Sequence, residues 1–505
     1  MAYGRFAPDR DRVRPAHIAL AAAILVVGAW LRVRGAQGEL WLDEIWSLNT
    51  AQSLSAWHQA FWNAPNDNNH PINTAWMYLM GQDRAPWVYR LLSIVTGALG
   101  VLAAGLVAAR RAPSNTPARL LIAMLLAATL YPFVHFGSEA RGYAPMMLCA
   151  LLAFAAVEDA DRDVTSARWT YGLAGVLGVL SHLGILPVLF ALSVSFAGRQ
   201  LLQGRTVVQA VNSAVRLNGP FMAGVLAYIA AIWYGIYTSG NLVTFGGSTL
   251  SCPGGDCFTL ALDEITRFSS GGFGAHLTGL HSGLYGILVF GAVVWLGAVG
   301  NRRALPLGLI MLGVPLLFFA ANQPAAPHGR YFLAVFAFMP LLIAEVIGEL
   351  SARARAARMF AGLVVLAMVL ANTWAVNRFV QAGRGDYTQA LERILADQDG
   401  APLTIGTEMP FQLTTVMEET RRRTAPDQHI DYAAFAEIAD ARPPWVISVT
   451  IDANDLRPQT CAGGLLYTLD SVHTYWGMAG STWGLYGLSD TPAPTDCLWL
   501  TEAQK

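Results

Sequence analysis

The chain has 505 residues, of which 54% are hydrophobic and only 13% charged, and its formal net charge is −1. Soluble globular domains carry about 25% charged residues, so the composition excludes an ordinary soluble protein. The balanced charge gives no sign of nucleic acid binding. Runs of about 20 apolar residues recur along most of the sequence, which indicates membrane-spanning helices.

The first apolar run begins near Ala16, behind several arginines, and continues to Leu31. No clear small-residue cleavage site follows it, so we expect a retained first helix rather than a signal peptide. Along the chain we predict about eleven membrane-spanning helices. Their approximate ranges are 16–34, 87–109, 118–136, 142–157, 168–181, 183–199, 217–237, 281–299, 304–321, 330–349 and 357–375.

The distribution of arginine predicts the orientation of these helices, because cytoplasmic loops are rich in Arg and Lys. One side of the predicted arrangement carries the N-terminal arginines and Arg110, Arg111, Arg119, Arg199, Arg205, Arg216, Arg302, Arg303, Arg353, Arg355 and Arg358. We assign that side to the cytoplasm. The segments then expected outside are 36–86, 137–141, 238–280, 322–329 and the residues after about 376.

The cysteines agree with this orientation, since Cys252, Cys257, Cys461 and Cys497 all fall on the outer side. Disulfides form in oxidising compartments, and of the three pairings, local pairing of 252 with 257 and of 461 with 497 is the simplest. A zinc site at Cys252 and Cys257 is a weaker alternative, because no His pair accompanies them. Cys149, inside a helix, is expected to be a small buried hydrophobe.

The sequence changes character after residue 375. We predict helices at Asp386–Asp397, Phe411–Thr420 and Tyr432–Asp440, and strands at Pro402–Thr407 and Trp445–Thr450. Alternation of strands and helices predicts a small α/β domain. The expected organisation is a membrane domain at 1–375, whose first outer loop covers about 36–86, and an extracytoplasmic α/β domain at 376–505.

Several arginines lie near the outer ends of the predicted helices, although Arg is expected mainly on the cytoplasmic side, and acidic residues lie at the same level. The arginines are Arg32, Arg34, Arg84, Arg90, Arg141 and Arg330, and the acids at the same level are Asp43, Glu44, Asp67, Asp83 and Glu139. Charges near membrane depth are costly and tend to be paired or functional. Any one Arg is equally well explained by an interfacial ion pair, but six together with facing acids predict an anion site beside a base.

The first outer loop carries the strongest motif, an adjacent Asp43 and Glu44 between tryptophans. Apolar residues then recur at helical spacing as far as Phe61, which predicts a helix lying in the membrane interface. Asp43 would begin this helix, and a capping role does not exclude a catalytic one. His70, in the turn-rich stretch that follows, is either a structural loop residue or a substrate contact.

Several stretches of the sequence, taken in order, resemble the GT-C superfamily of glycosyltransferases. The likeness is closest to bacterial relatives of protein O-mannosyltransferases and of the lipid A aminoarabinose transferase. The stretches are Leu31–Ser47, His70-Pro71, Tyr89–Ser93, Ser138–Tyr143, Gly329–Leu333 and Asp386-Tyr387. One departure is Ile72, where relatives often have a second Pro, and it affects acceptor recognition rather than the class.

The resemblance implies a polytopic GT-C-like fold and transfer of a monosaccharide from a polyprenyl-phosphate carrier, with inversion, outside the cytoplasm. The envelope acceptor is a lipid, a polysaccharide or a protein, and the location implied is the bacterial cytoplasmic (inner) membrane. The resemblance assigns Asp43 as the base and Arg330 as a phosphate contact.

The chemistry of this transfer accounts for the candidate residues. A carboxylate takes the proton of the acceptor hydroxyl, with Asp43 first and Glu44 orienting it or binding a sugar hydroxyl. Guanidinium groups suit phosphate because they donate two hydrogen bonds at once. The phosphate candidates are Arg330 and Arg141, followed by Arg32, Arg34 and Arg90, and the substrate-binding candidates are His70, Glu139, Tyr143, His328 and Tyr331.

Weaker candidates remain beside these. His182 is a candidate for the wall of the same cavity, and Asp263 with Glu264 forms a second acidic pair that lacks an interfacial Trp pattern. No cofactor is certain, although Asp43, Glu44 or Glu139 could hold a divalent metal.

Three other functions compete with single-sugar transfer. A transporter or flippase would explain the helices but predicts internal repeats, which are not evident. A non-catalytic subunit of an envelope assembly complex would leave the Asp-Glu and Arg set unexplained. Transfer of a whole oligosaccharide keeps the superfamily and changes the donor, but the modest first loop and the short soluble domain favour a single sugar.

Overall fold

The computed structural model describes residues 13–63, 69–111, 116–162, 164–240, 257–272, 280–301, 304–320, 328–351, 355–397, 403–450, 455–478 and 481–494. The chain forms two compact units. The first unit contains Met1–Ala36, Thr50–Gly81 and Val88–Asn377, and the second unit contains Gln37–Asn49, Gln82–Trp87 and Arg378–Lys505.

The first unit is helical. The helices up to residue 382 are α1 Pro15–Gly35, α2 Leu42–Gln52, α3 Pro71–Met80, α4 Pro86–Arg111, α5 Thr116–Thr129, α6 Tyr131–Phe136, α7 Tyr143–Ala160, α8 Ala167–Ser181, α9 Leu186–Leu202, α10 Val207–Ser239, α11 Cys257–Ser269, α12 Leu280–Ala298, α13 Leu305–Gly308, α14 Val314–Ala320, α15 Leu333–Phe336, α16 Met339–Ser351 and α17 Arg355–Ala382. Single 3-10 turns lie at Trp57–Phe61, Leu183–Ile185 and Gly329–Phe332, and a π turn lies at Leu309–Gly313.

Each of the eleven predicted membrane segments coincides with helical residues. Among the described residues, seven helices are long and apolar enough to cross a membrane, and a bent pair, Gly329–Phe336 with Met339–Ser351, makes up to eight. Two further apolar helices, Thr116–Thr129 and Leu305–Ala320, are shorter. The chain is therefore a multi-pass membrane protein, and eleven spans stays a prediction.

Local sequence signals fix the ends of the longest described helix, α10. The Thr206 hydroxyl accepts a hydrogen bond from the Gln209 amide at 3.3 Å, and the Gln209 side chain accepts one from the Thr206 amide at 3.0 Å. This reciprocal capping box satisfies two donors that a helix start leaves open. Gly240 ends the helix in the left-handed conformation, at φ 69°, which glycine adopts without strain.

A buried ion cluster joins α4, α5 and α16 in the first unit; we call it the Glu345 network. Glu345 accepts a hydrogen bond from Arg111 at 3.0 Å and also pairs with Arg119. Arg111 reaches Glu158 on α7 at 2.9 Å, and Arg119 reaches Glu349 at 2.9 Å. Two of the arginines assigned to cytoplasmic loops are therefore buried in helix packing.

The second unit contains a mixed six-stranded sheet. Its elements are α18 Tyr387–Ala396, β1 Leu403–Thr407, α19 Pro410–Thr424, β2 Ile430–Ala434, α20 Ile438–Ala441, β3 Trp445–Thr450, β4 Gln459–Ala462, β5 Leu465–His473 and β6 Thr482–Leu488. The strand order is β2-β1-β3-β6-β5-β4. β1 is parallel to β2 and β3, whereas the β3–β6, β6–β5 and β5–β4 pairs are antiparallel.

The apolar side chains of α18 and α19 cover one face of this sheet. Leu391, Ile394 and Met417 pack with strand residues such as Ile405 and Leu485 in one buried cluster. The predicted helix at Asp386–Asp397 and the predicted strands before Thr407 and Thr450 are confirmed by α18, β1 and β3.

One predicted element of this unit is wrong. The predicted helix Tyr432–Asp440 begins as strand β2, in which Ile430 and Ala433 are buried and Ile430 pairs with Leu403 of β1. Only a 3-10 turn at Phe435–Glu437 and the single turn of α20 follow. Pairing with β1 provides hydrogen-bond partners for the backbone N–H and C=O groups of this short segment. The stability gained from this pairing outweighs the helical preference of so short a sequence pattern.

The cysteines were predicted to pair locally. Cys461, in β4, is disulfide-bonded, and its predicted partner Cys497 lies outside the described residues. Cys257 is the first residue of α11, and its predicted partner Cys252 lies outside the described residues, so this pair stays a prediction. Cys149 is a buried free cysteine in α7, as expected.

Candidate functional site

A corner of the first unit brings two histidines face to face. His70 precedes α3 and His182 follows α8, and their rings stack with centroids 4.9 Å apart and an interplanar angle of 19°. Tyr143, the first residue of α7, lies 4.7 Å from the His182 ring and 5.8 Å from the His70 ring. His70 and Tyr143, two of the predicted substrate-binding residues, are therefore in contact.

Backbone contacts fix the proton positions of both imidazoles. His70 Nδ1 lies 3.0 Å from the Ser181 carbonyl oxygen, so Nδ1 carries the proton and donates it. His70 Nε2 is then an acceptor, and it is buried with no hydrogen-bond partner. His182 Nδ1 accepts from the Gly184 amide at 2.8 Å, so His182 Nε2 carries its proton. The pair offers one acceptor and one donor.

The turn between α6 and α7 carries Arg141 into this corner. Asn73 donates to the Ala140 carbonyl at 2.8 Å, and the Ser93 hydroxyl donates to the Arg141 carbonyl at 3.0 Å. At Gly142 a Cβ atom would lie 1.7 Å from the Ser181 carbonyl oxygen. Only glycine allows the turn to approach the α8 corner this closely, and the arrangement places the Arg141 guanidinium 5.7 Å from the Tyr143 ring.

The charges of Arg141 and Arg330 act on both histidines. Burial and then the Arg141 charge hold the pKa of His70 well below its ordinary value, and Arg330 lowers it further. Burial, Arg141 and Arg330 together lower the pKa of His182 to about 3. Both imidazoles are therefore neutral at physiological pH and lie within the electrostatic influence of two permanent positive charges. This arrangement attracts anions.

Arg330 lies in the 3-10 turn Gly329–Phe332, and Glu264 binds the backbone of this turn. The Gly329 amide donates to Glu264 Oε2 at 2.6 Å. Burial raises the pKa of Glu264 to about 7, while that hydrogen bond and the charges of Arg267 and Arg330 oppose the rise. Gly329 also lies tightly against Ala261 and Ile265 of α11, where a Cβ atom would be 2.9 Å from their atoms. Glu264 thus belongs beside Arg330, not in a separate site.

The other predicted phosphate-binding arginines have different surroundings. Arg32 is buried and donates to the Gly28 and Ala127 carbonyls at 2.8 and 3.1 Å. Arg90 is also buried and donates to the Ala36 carbonyl at 2.8 Å. Arg34 is exposed and lies 5.7 Å from the Trp30 ring. Arg32 contacts α1 itself and α5, and Arg90 contacts the end of α1, so their proposed phosphate role stays a prediction.

Three predicted substrate-binding residues remain. Glu139 is fully buried, with its carboxylate 3.9 Å from His135 Nε2. His328 and Tyr331 are partly exposed, their ring centroids are 6.5 Å apart, and Arg330 lies 5.9 Å from the Tyr331 ring. His328 and Tyr331 thus flank Arg330 on its own turn.

Asp43 and Glu44 belong to the second unit, and both side chains are buried. They lie in the first turn of α2, where Glu44 Oε2 accepts from the Trp41 amide at 3.2 Å. This contact caps the start of the helix. Of the two acids, it is Glu44 that makes the capping contact expected at this position. The expected helical stretch as far as Phe61 is interrupted between α2 and the 3-10 turn that begins at Trp57.

Glu39 connects this segment to the C-terminal part of the second unit. Its carboxylate oxygens accept from the Tyr387 and Thr388 amides at 2.7 and 2.8 Å, the first two amides of α18. Asp386, the residue before the helix, has φ 53° and makes no capping bond. A carboxylate from a distant segment therefore caps α18 and also matches the positive end of its dipole.

The sequence alone does not decide whether the protein binds a metal ion. Within the part of the chain that the structure describes, no group of three or more His, Cys, Asp or Glu residues is placed to hold a metal ion. A divalent metal at Asp43, Glu44 or Glu139 stays a prediction.

No family profile and no curated protein sequence matches the chain. Among solved structures, the chain is similar to ArnT from Cupriavidus metallidurans in the apo state, with a TM-score of 0.54 and 12% identity over 93% of this chain and 97% of that one. ArnT, an aminoarabinose transferase, is a member of the GT-C superfamily. The chain has a GT-C fold.

A more distant likeness exists to the oligosaccharyltransferase AglB from Archaeoglobus fulgidus. Its apo structure has a TM-score of 0.46 and 12% identity over 86% of this chain and 69% of that one. A complex of AglB with an inhibitory peptide and a dolichol-phosphate has a TM-score of 0.45 and 12% identity over 85% and 69%. The GT-C assignment of the fold rests on ArnT.

Sequence reasoning gave Glu264 too little weight and did not find Glu39. Glu264 acts on an amide 65 positions away and Glu39 on amides 348 and 349 positions away. Contacts between residues so far apart in sequence cannot be predicted from a local sequence pattern. The only signal for Glu39 is its place as an acid within the Leu31–Ser47 stretch.

Proposed function

We propose that the chain is an inverting glycosyltransferase that moves a monosaccharide from a polyprenyl-phosphate carrier to an envelope acceptor. The reaction would take place on the outer side of the bacterial cytoplasmic membrane. The observation that supports the proposal is the stacked, neutral pair of His70 and His182, on which the charges of Arg141 and Arg330 both act, within a GT-C fold.

The roles follow from charge. Arg141 and Arg330 bind the carrier phosphate and stabilise the negative charge that grows as the bond from the anomeric carbon to the phosphate oxygen breaks. His182 Nε2 donates a further hydrogen bond to the phosphate. A neutral imidazole adds this bond without adding a third positive charge, which would hold the leaving phosphate after reaction.

The acceptor hydroxyl forms the new bond to the anomeric carbon on the face opposite the phosphate. Its proton passes to the Asp43 carboxylate, and polyprenyl phosphate leaves. Glu44 keeps the start of α2 in place, which fixes the backbone that carries Asp43. Glu264 holds the turn that carries Arg330 and is a positioning residue.

The proposal is tested by transfer from radiolabelled decaprenyl-phosphate sugars by purified protein, together with mass spectrometry of envelope glycans in strains lacking the gene. Asp43→Asn should reduce transfer by about a thousandfold or more without changing donor affinity. Arg330→Ala should raise the donor KM and lower kcat, and Arg330→Lys should restore only part of the loss, because it lacks the planar fork.

Asp431→Asn is the matched control, since it removes one exposed carboxylate of the second unit. Full activity of Asp43→Asn would remove Asp43 as the base. A wild-type protein that neither transfers nor releases sugar from any of the donors, in a strain whose envelope glycans are unchanged, would refute the proposed function.

A further inference from the structure

The connection between β1 and α19 lies at a point where the sheet changes direction. From β1 the chain passes through α19 to β2 on one side, and then through α20 to β3 on the other side of β1. Both neighbours are parallel to β1. In open α/β sheets, the crevice outside the carboxyl ends of the strands at such a switch point is the usual ligand site.

Glu408, directly after β1, spans this switch point. Its Oε1 accepts from the Ser448 hydroxyl at 3.0 Å and from the Val449 amide at 2.6 Å, both on β3. Its Oε2 atom is buried and has no hydrogen-bond partner. Burial raises the pKa of Glu408. A buried acceptor without a donor is costly, and a carboxylate oxygen binds groups that bring O–H or N–H.

An aromatic surface lies in the same connection. Phe411, in the first turn of α19, is 69% exposed, and Met409 before it is 37% exposed. Phe411 packs against Trp46 of α2, with ring centroids 5.4 Å apart and tilted by 34°. Asp43 is three positions before Trp46 on the same helix, so the two side chains leave the same face of α2. The aromatic surface therefore adjoins the segment that carries the proposed base.

We propose that Trp46, Phe411 and Glu408 form an acceptor subsite that seats a sugar ring and presents its hydroxyl to Asp43. The apolar C–H face of the ring packs on the two aromatic side chains, and a ring hydroxyl donates to Glu408 Oε2. An acyl chain would match the aromatic rings and leave Glu408 without a donor, so a saccharide fits both features. This inference rests on the proposed function and names the chemistry of its acceptor.

The test compares acceptor kinetics in full-length protein, with decaprenyl-phosphate sugars as donors and a panel of methyl glycosides as acceptors. Phe411→Ala and Trp46→Ala should each raise the acceptor KM by about tenfold, the value of one lost aromatic contact. Phe411→Trp should keep the wild-type value, and Glu408→Gln should also raise the acceptor KM. The donor KM should stay unchanged in all four variants.

Phe435→Ala is the control, since Phe435 is a half-exposed aromatic residue elsewhere in the second unit. An acceptor KM in Phe411→Ala equal to that of Phe435→Ala, with active wild type, would overturn the inference and leave the proposed function intact. Phe411-dependent glycosylation of a Thr-containing peptide, with no glycoside used, would overturn the saccharide assignment. Because Phe411 is exposed, its variants test the idea even where Trp46→Ala fails to fold.

Discussion

At the scale of single residues, the site is defined by proton positions. The Ser181 carbonyl and the Gly184 amide give the two stacked imidazoles opposite tautomers. A donor can serve a phosphate oxygen, but the lone pair on His70 Nε2 cannot. The two histidines therefore cannot be interchanged, although both are neutral and the charges of the same two arginines act on both.

The depressed pKa of His182 predicts how stability depends on pH. The folded protein keeps His182 neutral down to about pH 3, whereas the unfolded chain protonates it near pH 6.5. Between these values the unfolded state binds more protons, so stability is lost as the pH falls below about 6.5. At pH 5 this loss is about 2 kcal/mol. Thermal unfolding in detergent from pH 8 to pH 5 measures it.

His182→Gln should be less sensitive to acid than the wild type, and His429→Gln, at an exposed position, should behave as wild type. The two variants must be compared with the wild type because Glu264 changes the pH dependence of stability in the opposite direction. Its raised pKa makes the folded state the better proton binder, so its contribution falls as the pH rises from about 4.5 to 7. Identical pH profiles for wild type and His182→Gln would contradict the assignment.

At the scale of elements, the start of α18 is completed by another part of the chain. Glu39 supplies the cap that Asp386, with its left-handed backbone, does not provide. The same two hydrogen bonds hold the segment that leads into α2. One carboxylate thus orders a helix and the connection that carries the proposed base.

Glu39→Ala should cost about 1–2 kcal/mol, as the loss of a helix cap usually does. We also expect a lower kcat with an unchanged donor KM, because the proposed phosphate-binding residues Arg141 and Arg330 belong to the first unit. Hydrogen exchange at the Tyr387 and Thr388 amides, together with the kinetics, measures both effects. Glu392→Ala, on the exposed face of α18, is the control. Unchanged exchange in Glu39→Ala would show that these amides do not depend on Glu39.

The elements also show how far the sequence alone could reach. Every predicted membrane segment coincides with helical residues, because the length and composition of a spanning helix are local properties, while the number of spans stays a prediction. The strands that end at Thr407 and Thr450 can also be predicted from the sequence, because a short run of buried apolar residues is a local property too. The sequence pattern predicts a helix in place of β2, because the pairing of β2 with β1 depends on residues about 27 positions away. The contact of His70 with Ser181, 111 positions away, cannot be predicted from the sequence of either segment.

At the scale of the whole molecule, the Glu345 network joins helices that are far apart in sequence. Glu345 lies between Arg111 and Arg119, and all three side chains are buried. Asn301 also donates to Glu345 at 3.0 Å. Removal of this acid would leave two buried guanidinium groups without their shared partner, which is far more costly than the loss of a surface pair.

We expect Glu345→Gln to lower the free energy of unfolding by about 3–5 kcal/mol. Glu349→Gln removes a partner of Arg119 whose side chain is 24% exposed, and it should cost about 1 kcal/mol or less. Thermal unfolding in detergent, followed by circular dichroism, compares the two. Equal losses for both variants would mean that Glu345 does not act as the centre of the network.

The second unit is assembled from three separate stretches of chain, Gln37–Asn49, Gln82–Trp87 and Arg378–Lys505. A ribosome adds about 5–20 residues per second, so it needs roughly a quarter of a minute to a minute to cover the roughly 330 residues between the first stretch and the third. Throughout that time the Asp43 segment lacks the α18 amides that Glu39 binds. Synthesis that stops before α18 therefore leaves the segment that carries the proposed base, Asp43, without the two hydrogen bonds between Glu39 and α18, and we expect such a truncated product to transfer no sugar.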